Sequence, residues 1–130
     1  MKRKSFAVAL AVASVVSTAG LAVASPAQAA CDTMSIGKPY RSGSTVRANA
    51  SVCANRGWIG YASIQRKVGP VWDTVATRRI TAAGLGTTVQ GPVSWSCSGR
   101  GTQTYRGRIH LQNGTIFTGY EYSAQSRFSC

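Results

Sequence analysis

The sequence predicts an all-β fold, an antiparallel β-sandwich with two disulfides that is preceded by a cleaved signal peptide. Three observations predict this class. No helical periodicity follows the first thirty residues, and short runs of alternating apolar and polar residues are separated there by Gly, Pro, Asn and Ser. The chain also has four cysteines in 130 residues. About seven short strands in about 100 residues are typical of two packed sheets.

Residues 1–29 have the layout of a secretory signal peptide. A basic start, MKRK, is followed by a long apolar run without charges, then by a proline and small residues at the A-x-A spacing. This pattern predicts cleavage after Ala29, with cleavage after Ala30 as the second choice. Residues 30–130 then form a single domain that is secreted, extracellular and without a transmembrane anchor.

Two alternatives to cleavage and release remain open. The apolar run is long enough for an uncleaved membrane anchor, although its Ser, Thr and Gly content and Pro26 favour cleavage. Lipid attachment at Cys31 is the other alternative, because this cysteine closely follows the small residues. Gln28 disfavours it, since a lipoprotein signal has an aliphatic residue three positions before its cysteine.

The cysteines predict two disulfides, because secretion, small size and an even cysteine count occur together. Three pairings are possible, and we favour Cys31–Cys53 with Cys97–Cys130, in which each bridge joins a chain end to an interior strand. The chain-entropy model gives each bridge about 3 to 4 kcal/mol. No C-x-x-C pair and no Cys/His cluster occurs in the sequence, so we predict neither a metal site nor a cofactor.

The predicted strands follow one another along the chain with turn residues between them. They are the segments 44–54, 58–68, 71–82 and 87–97 and the hairpin 104–122. In the first segment, four small or branched apolar residues share one face: Val46, Ala48, Ala50 and Val52. In the hairpin, Asn113 and Gly114 are predicted as the central residues of a type I′ turn, in which both need positive φ.

Alternation along the hairpin predicts which side chains are buried. The buried face has Tyr105, Ile109 and Leu111 together with Gly107. Arg106, Arg108 and His110 share the opposite, solvated face, where successive side chains lie about 6.6 Å apart.

Trp72 and Val75 break this regularity, because two core residues three positions apart cannot share one face of a regular strand. Either a β-bulge intervenes or Trp72 is exposed. Burial of Trp72 is the favoured prediction.

These residues carry a resemblance to a known group of proteins. A Gln-Arg strand, a glycine turn, a tryptophan and a Tyr-Arg strand resemble the immunoglobulin-like β-sandwich of small secreted actinobacterial proteins, mostly of unassigned function. The matching positions are Gln65, Arg66, Trp72, Val75, Tyr105 and Arg106. The resemblance covers residues 58–127 and implies the fold, not an activity. The chain departs from antibody domains, because Trp58 follows Cys53 by only five residues.

The inventory of reactive residues predicts that the protein is not an enzyme. His110 is the only histidine, and a Ser-His-acid triad would have to combine it with one of the three carboxylates, Asp32, Asp73 and Glu121. Neither a G-x-S-x-G elbow nor a P-loop occurs. Nothing in the sequence brings two carboxylates together for glycoside hydrolysis.

Positive charge is the remaining signal. The formal net charge is +12. The signal peptide removes three of the fifteen basic residues and no acid, so the mature protein keeps +9. The candidate anion-binding residues are Arg100, Arg106, Arg108 and Arg127. A second basic group comprises Arg66, Lys67, Arg78 and Arg79. The alternative interpretation is that these positive charges only keep the protein soluble.

The leading functional hypothesis is a secreted, non-enzymatic basic binding module that adsorbs to an anionic cell-wall polymer or an acidic polysaccharide. Specific nucleic-acid binding is not predicted, because no recognition motif is present. The alternative is a secreted cationic effector, either an antimicrobial or a protease inhibitor that presents Arg100 from the loop 98–101.

Overall fold

The computed structural model describes residues 31–130, which form two antiparallel β-sheets without a helix. This confirms the predicted all-β class, while the predicted signal peptide lies outside the described residues. The strands are β1 (Thr33–Ile36), β2 (Tyr40–Ser42), β3 (Thr45–Cys53), β4 (Ile59–Val68), β5 (Val71–Thr81), β6 (Val89–Ser96), β7 (Thr102–Asn113), β8 (Ile116–Phe117), β9 (Glu121–Tyr122) and β10 (Ser126–Ser129). Within this part of the chain, no helix is long and apolar enough to span a membrane.

The smaller sheet is built around β3. Strand β6 pairs with one side of β3, and β1 and β2 share its other side, each pairing with one end. Because β6 pairs with β3 alone, Pro92 lies on an edge strand, where its missing N–H leaves no ladder hydrogen bond unmade.

The larger sheet has the order β5-β4-β7, and three short strands share the outer edge of β7. Strand β10 pairs with the start of β7, β9 with its middle and β8 with its end. Strand β7 is therefore the centre of this sheet, and four other strands pair with it.

Both disulfides have the predicted pairing, Cys31–Cys53 and Cys97–Cys130. The first joins Cys31, two residues before β1, to the end of β3, and the second joins the turn after β6 to Cys130, which follows β10. Cys53 and Cys97 are fully buried. The bridges fix strands that have few ladder hydrogen bonds of their own, because β1 and β10 are only four residues long.

The core lies between the two sheets and confirms the predicted alternation. The four predicted residues of β3 and the three of β7 are all buried: Val46, Ala48, Ala50, Val52, Tyr105, Ile109 and Leu111. Alanine supplies much of the remaining core, and Gly60 and Gly107 face the opposite sheet at positions where a β-carbon would meet side chains of that sheet. Small residues let the two sheets approach closely.

The predicted hairpin after β7 is present, but its turn lies one residue later than predicted. Asn113 pairs with Ile116, so Gly114 and Thr115 are the central residues. Gly114 has a φ of +60°, and the first central position is the one at which both primed turn types need positive φ. The glycine, rather than the Asn-Gly pair as a unit, therefore determines where the turn forms.

Trp72 and Val75 are separated by a β-bulge. Ile64 of β4 pairs with Ala76, whereas Gln65 pairs with Thr74, so Val75 has no partner. The bulge resolves the three-residue spacing, but the favoured burial of Trp72 in the core is wrong. Trp72 is half-buried and faces the outer side of the larger sheet, because it pairs with the outward-facing Lys67.

Candidate anion-binding face

The outer side of the larger sheet brings three of the four predicted anion-binding residues together. Arg106 and Arg108 alternate along β7, and Arg127 of β10 pairs with Thr104, the preceding outward residue of β7. Diagonal neighbours of this kind lie about 7 to 8 Å apart. We call the outer surface formed by these arginines with Trp72, Tyr120 and Tyr122 the arginine face.

Arg106 is held rigidly by three neighbours. Its guanidinium carbon lies 4.3 Å from the ring centre of Trp72 and 4.1 Å from that of Tyr122. Its Nε donates a hydrogen bond of 2.8 Å to Oε1 of Gln65. Within residues 31–130 its two terminal nitrogens have no hydrogen-bond partner, so the fork that recognises carboxylate or phosphate stays available.

Gln65 is an unusual buried amide on an outward-facing position. It is only 3% exposed, and its Nε2 donates to Oγ1 of Thr74 at 3.2 Å while its Oε1 accepts from Arg106. Both ends of the amide are thereby satisfied, and the position of the Arg106 guanidinium is tied to the strand backbone through β4 and β5. A buried hydrogen-bonded side chain beneath a guanidinium lowers the entropy that the arginine loses when it binds.

Arg108 and Arg127 are held by one contact each. The guanidinium carbon of Arg108 lies 4.4 Å from the ring centre of Tyr120. Arg127 donates from Nη1 to Oγ1 of Thr104 at 3.0 Å. The two guanidiniums thus lie on either side of Arg106 along the sheet, and the three charges form a row.

Beyond Arg108 the same face becomes aromatic around His110. Its ring stacks on Tyr61 at 5.3 Å between centroids, and it meets the edge of Tyr120 at 5.0 Å and Phe117 at 6.2 Å. His110 is half-buried in this cluster, and within residues 31–130 no ion pair joins it to a carboxylate. We call Tyr61, His110, Phe117 and Tyr120 the aromatic end of the arginine face.

None of the three carboxylates lies on the arginine face. Asp73 accepts a hydrogen bond of 3.4 Å from Nη2 of Arg66. These two paired residues alternate with the outward-facing ones, so neither belongs to the arginine face. Asp32 and Glu121 both line a cavity of about 300 Å³ at the edge of the sandwich, beside Met34 and Thr118. Nothing in the sequence indicated that these two carboxylates line one cavity. Across residues 31–130, no group of three or more metal-ligating side chains occurs.

Arg100, the fourth predicted residue, lies at one end of the sandwich, away from the row. Its guanidinium carbon is 5.2 Å from the ring centre of Trp95, and Arg66 approaches the same ring at 5.5 Å. Gly99 and Gly101 flank it with φ values of +74° and +69°. Arg100 therefore belongs to a tight turn after Cys97.

The second predicted basic group is divided by strand parity. Lys67 and Arg79 face outward with the arginine face, whereas Arg66 and Arg78 have the opposite parity. Arg78 donates from Nη1 to the carbonyl of Pro92 at 3.1 Å and thereby connects β5 to β6 of the other sheet. Only half of this group can contribute to one surface.

Tyr105 has a buried hydroxyl at the inner side of the same strand. The residue is fully buried, and neither its hydroxyl nor the neighbouring Nε of Arg66 has a hydrogen-bond partner within residues 31–130. Burial raises the pKa of Tyr105 above the usual 10.0, and the charges of Arg66 and Arg100 partly offset this increase.

Replacing Tyr105 with phenylalanine is expected to change the free energy of unfolding at pH 7 by at most about 1 kcal/mol, in the stabilising direction, because no hydrogen bond is lost. Above pH 10 the unfolded chain releases this proton first, since its pKa is lower, so the native protein loses stability as pH rises towards the folded pKa. Urea unfolding curves of the Tyr105→Phe variant should therefore lack the part of the stability loss at high pH that is caused by this proton.

Tyr40→Phe, at an exposed position of β2, is the matched control and should retain the alkaline loss. A Tyr105→Phe variant that is strongly destabilised at pH 7 would show that the hydroxyl has a partner and would contradict the prediction.

Sequence reasoning missed the side chains that hold Arg106. Trp72, Tyr122 and Gln65 belong to three different strands, and only the register of those strands brings them to one arginine. Two signals were available: the spacing of Trp72 from Val75 allowed an outward-facing tryptophan, and Tyr120 and Tyr122 share one parity and could form a stacking surface.

No protein-family model matches the sequence, and no curated protein matches it either. Among solved structures, the chain is similar to a crystal structure of a protein from Archaeoglobus fulgidus. The two are 14% identical, the TM-score is 0.38, and the match covers 76% of this chain and 96% of the other. This likeness is too weak to assign the chain to a fold family or a function.

Proposed function

We propose that this protein is a secreted, non-enzymatic binding module whose arginine face adsorbs to an anionic polymer of the cell envelope. The observation that supports the proposal is the arrangement at Arg106. Two aromatic rings and one buried amide hold its guanidinium, and the terminal nitrogens remain free of partners within residues 31–130. Solubility alone does not require such fixation, because a flexible lysine or arginine in water serves it equally well.

The charge distribution supports a polymeric anion rather than a small one. Arg106, Arg108 and Arg127 form a row along β7 and β10, and Lys67 and Arg79 add two cations on the same side. No carboxylate on that side competes for them. A row of like charges at spacings of about 7 Å interacts with successive anionic groups of one chain, so its contributions add.

The proposal is tested with Arg106→Gln/Arg108→Gln. Both substitutions keep a polar side chain and remove two positive charges. Retention on heparin or on purified cell wall should shift to lower salt, and the slope of log affinity against log salt should fall by about one for each lost contact. Far-ultraviolet circular dichroism should be unchanged, since both side chains face outward from the sheet.

The matched control is Arg47→Gln/Arg56→Gln, which removes the same charge from β3 of the other sheet and from the loop after it. If both double variants lose retention equally, net charge alone is responsible and the arginine face has no special role. Unchanged retention of Arg106→Gln/Arg108→Gln would overturn the proposal outright.

Export and membership of the immunoglobulin-like group are parts of the same proposal. The two disulfides are consistent with an extracellular protein, because oxidising compartments preserve them. The two-sheet architecture is compatible with the resemblance at Gln65, Trp72 and Tyr105. The cationic effector stays the alternative prediction, and Arg100, which lies against Trp95 in a turn, does not add support to protease inhibition.

A further inference from the structure

We infer that the polymer is a carboxylated polysaccharide whose sugar rings contact the aromatic end of the arginine face. This inference rests on the proposed function and names the ligand class of the same surface. It follows from the way in which the face changes along β7, from guanidiniums at Arg106 and Arg108 to aromatic rings around His110.

The aromatic end presents ring surface to solvent. Phe117 is 61% exposed and Tyr120 is 51% exposed, although both pack against His110. By contrast, the rings of Trp72 and Tyr122 have Arg106 between them. Arg108 also lies against Tyr120, so Phe117 is the most exposed ring of the face and, within residues 31–130, has no guanidinium against it; it lies at the aromatic end, next to the row of charges. Clustered exposed apolar groups of this kind mark interaction sites.

A carboxylated sugar has the two features that this surface recognises. Its carboxylate accepts two parallel hydrogen bonds from a guanidinium fork. Its ring also has a face of C–H groups, which packs on an aromatic ring and is removed from water there. A polyphosphate has the charge but not the apolar ring, so only the arginines would contact it.

Single-stranded nucleic acid is the competing ligand with both charges and rings. Its binding sites combine a basic groove along the backbone with aromatic side chains on which successive bases stack. Here Arg106 lies between the rings of Trp72 and Tyr122, and Arg108 lies against Tyr120, so the rings beside the charges already contact guanidiniums. Phe117, the most exposed of these rings, lies beyond the row of charges and offers a chain of successive bases one stacking position rather than a series. Both observations favour the polysaccharide.

The separation of the two ends sets a minimum ligand length. Arg106 and His110 are four residues apart on one strand, which corresponds to about 13 Å. One sugar unit cannot contact both, so oligomers should bind much more tightly than the monomer.

The test measures dissociation constants for oligogalacturonate, galacturonate, inorganic polyphosphate and oligothymidylate by calorimetry. Phe117→Ala should weaken oligogalacturonate binding by about five- to tenfold through lost apolar contact and leave polyphosphate binding within about twofold. Ile116→Ala is the matched control, because Ile116 is 62% exposed in the same two-residue strand but has the opposite parity. It should change neither affinity.

The outcomes separate this inference from the proposed function. If the Arg106 and Arg108 substitutions weaken binding of every anion but Phe117→Ala weakens none, the polysaccharide inference is overturned and the anion-binding proposal stands. Tighter binding of oligothymidylate that depends on Phe117 also overturns the inference. If none of the four probes binds, the proposed function fails as well.

Discussion

Replacing Cys97 and Cys130 with alanine is expected to lower the free energy of unfolding by about 3 to 4 kcal/mol. The bridge closes a loop with a sequence separation of 33 residues, and its loss returns that conformational freedom to the unfolded chain. A domain of about 100 residues has a net stability of about 5 to 15 kcal/mol, so one bridge is a large fraction of it. The urea midpoint of the double variant measures the loss.

The Cys31→Ala/Cys53→Ala variant is the natural comparison, since its loop is shorter, with a separation of 22 residues, and the entropy model gives nearly the same loss. Removal of all four cysteines should leave the protein largely unfolded at 37 °C. A midpoint of the Cys97→Ala/Cys130→Ala variant equal to that of the native protein would mean that the bridge contributes no stability.

The second bridge also matters for the proposed site. Strand β10 holds Arg127 on the arginine face and Phe128 against Tyr105, and it pairs with β7 over only four residues. Because Cys130 follows this strand directly, loss of the bridge should loosen Arg127 before the rest of the sheet. Under conditions in which it is folded, the Cys97→Ala/Cys130→Ala variant should therefore bind anions more weakly, in addition to being less stable.

The sequence predicted the fold because the information needed was local. Alternation with a period of two decides which side chains of β3 and β7 face the core, and this pattern is visible within each strand. The favoured disulfide pairing, in which each bridge joins a chain end to an interior strand, is confirmed, although the sequence alone left three pairings possible. The hairpin turn was misplaced by one residue because Asn113 and Gly114 were treated as a unit, whereas Gly114 alone has the positive φ.

The site was predictable only in part because its geometry depends on contacts between distant strands. Alternation placed Arg106 and Arg108 on one outer face, and the register of β10 added Arg127. Arg100 is not part of the row, because its turn directs it to Trp95. The contact of Trp72 with Arg106 depends on the β-bulge at Val75, which changes the strand face on which Trp72 lies. Nothing in the sequence determines which strand lies next to Trp72.

Core packing beneath the site explains why the two sheets tolerate little change. Buried positions of β3 and β4 are rich in alanine, and Gly60 of β4 points at Val52 of β3. The outward neighbour of Gly60 is Tyr61, which stacks on His110. A backbone shift at Gly60 would therefore disturb both the core and the aromatic end of the arginine face.

Gly60→Ala is expected to lower the free energy of unfolding by about 1 to 3 kcal/mol. The added β-carbon would lie 2.5 Å from Cγ2 of Val52, and Val52 is fully buried, so it has no space into which to move. Thermal and urea unfolding of the purified protein measure the effect. Near-ultraviolet circular dichroism should also change, because Tyr61 and Trp58 adjoin the site of the substitution.

Two other glycines make the comparison quantitative. Gly107→Ala would bring its β-carbon to 2.8 Å from Ile36, which is only half-buried and can turn aside, so its cost should be smaller than that of Gly60→Ala. Gly119→Ala meets no atom within 4 Å and should be stabilising by about 0.4 to 1 kcal/mol, since it restricts only the unfolded chain. The expected order of stability is Gly119→Ala, Gly107→Ala, Gly60→Ala. If Gly60→Ala proved as stable as Gly119→Ala, the close approach of β4 to β3 would not be what limits the side chain at this position.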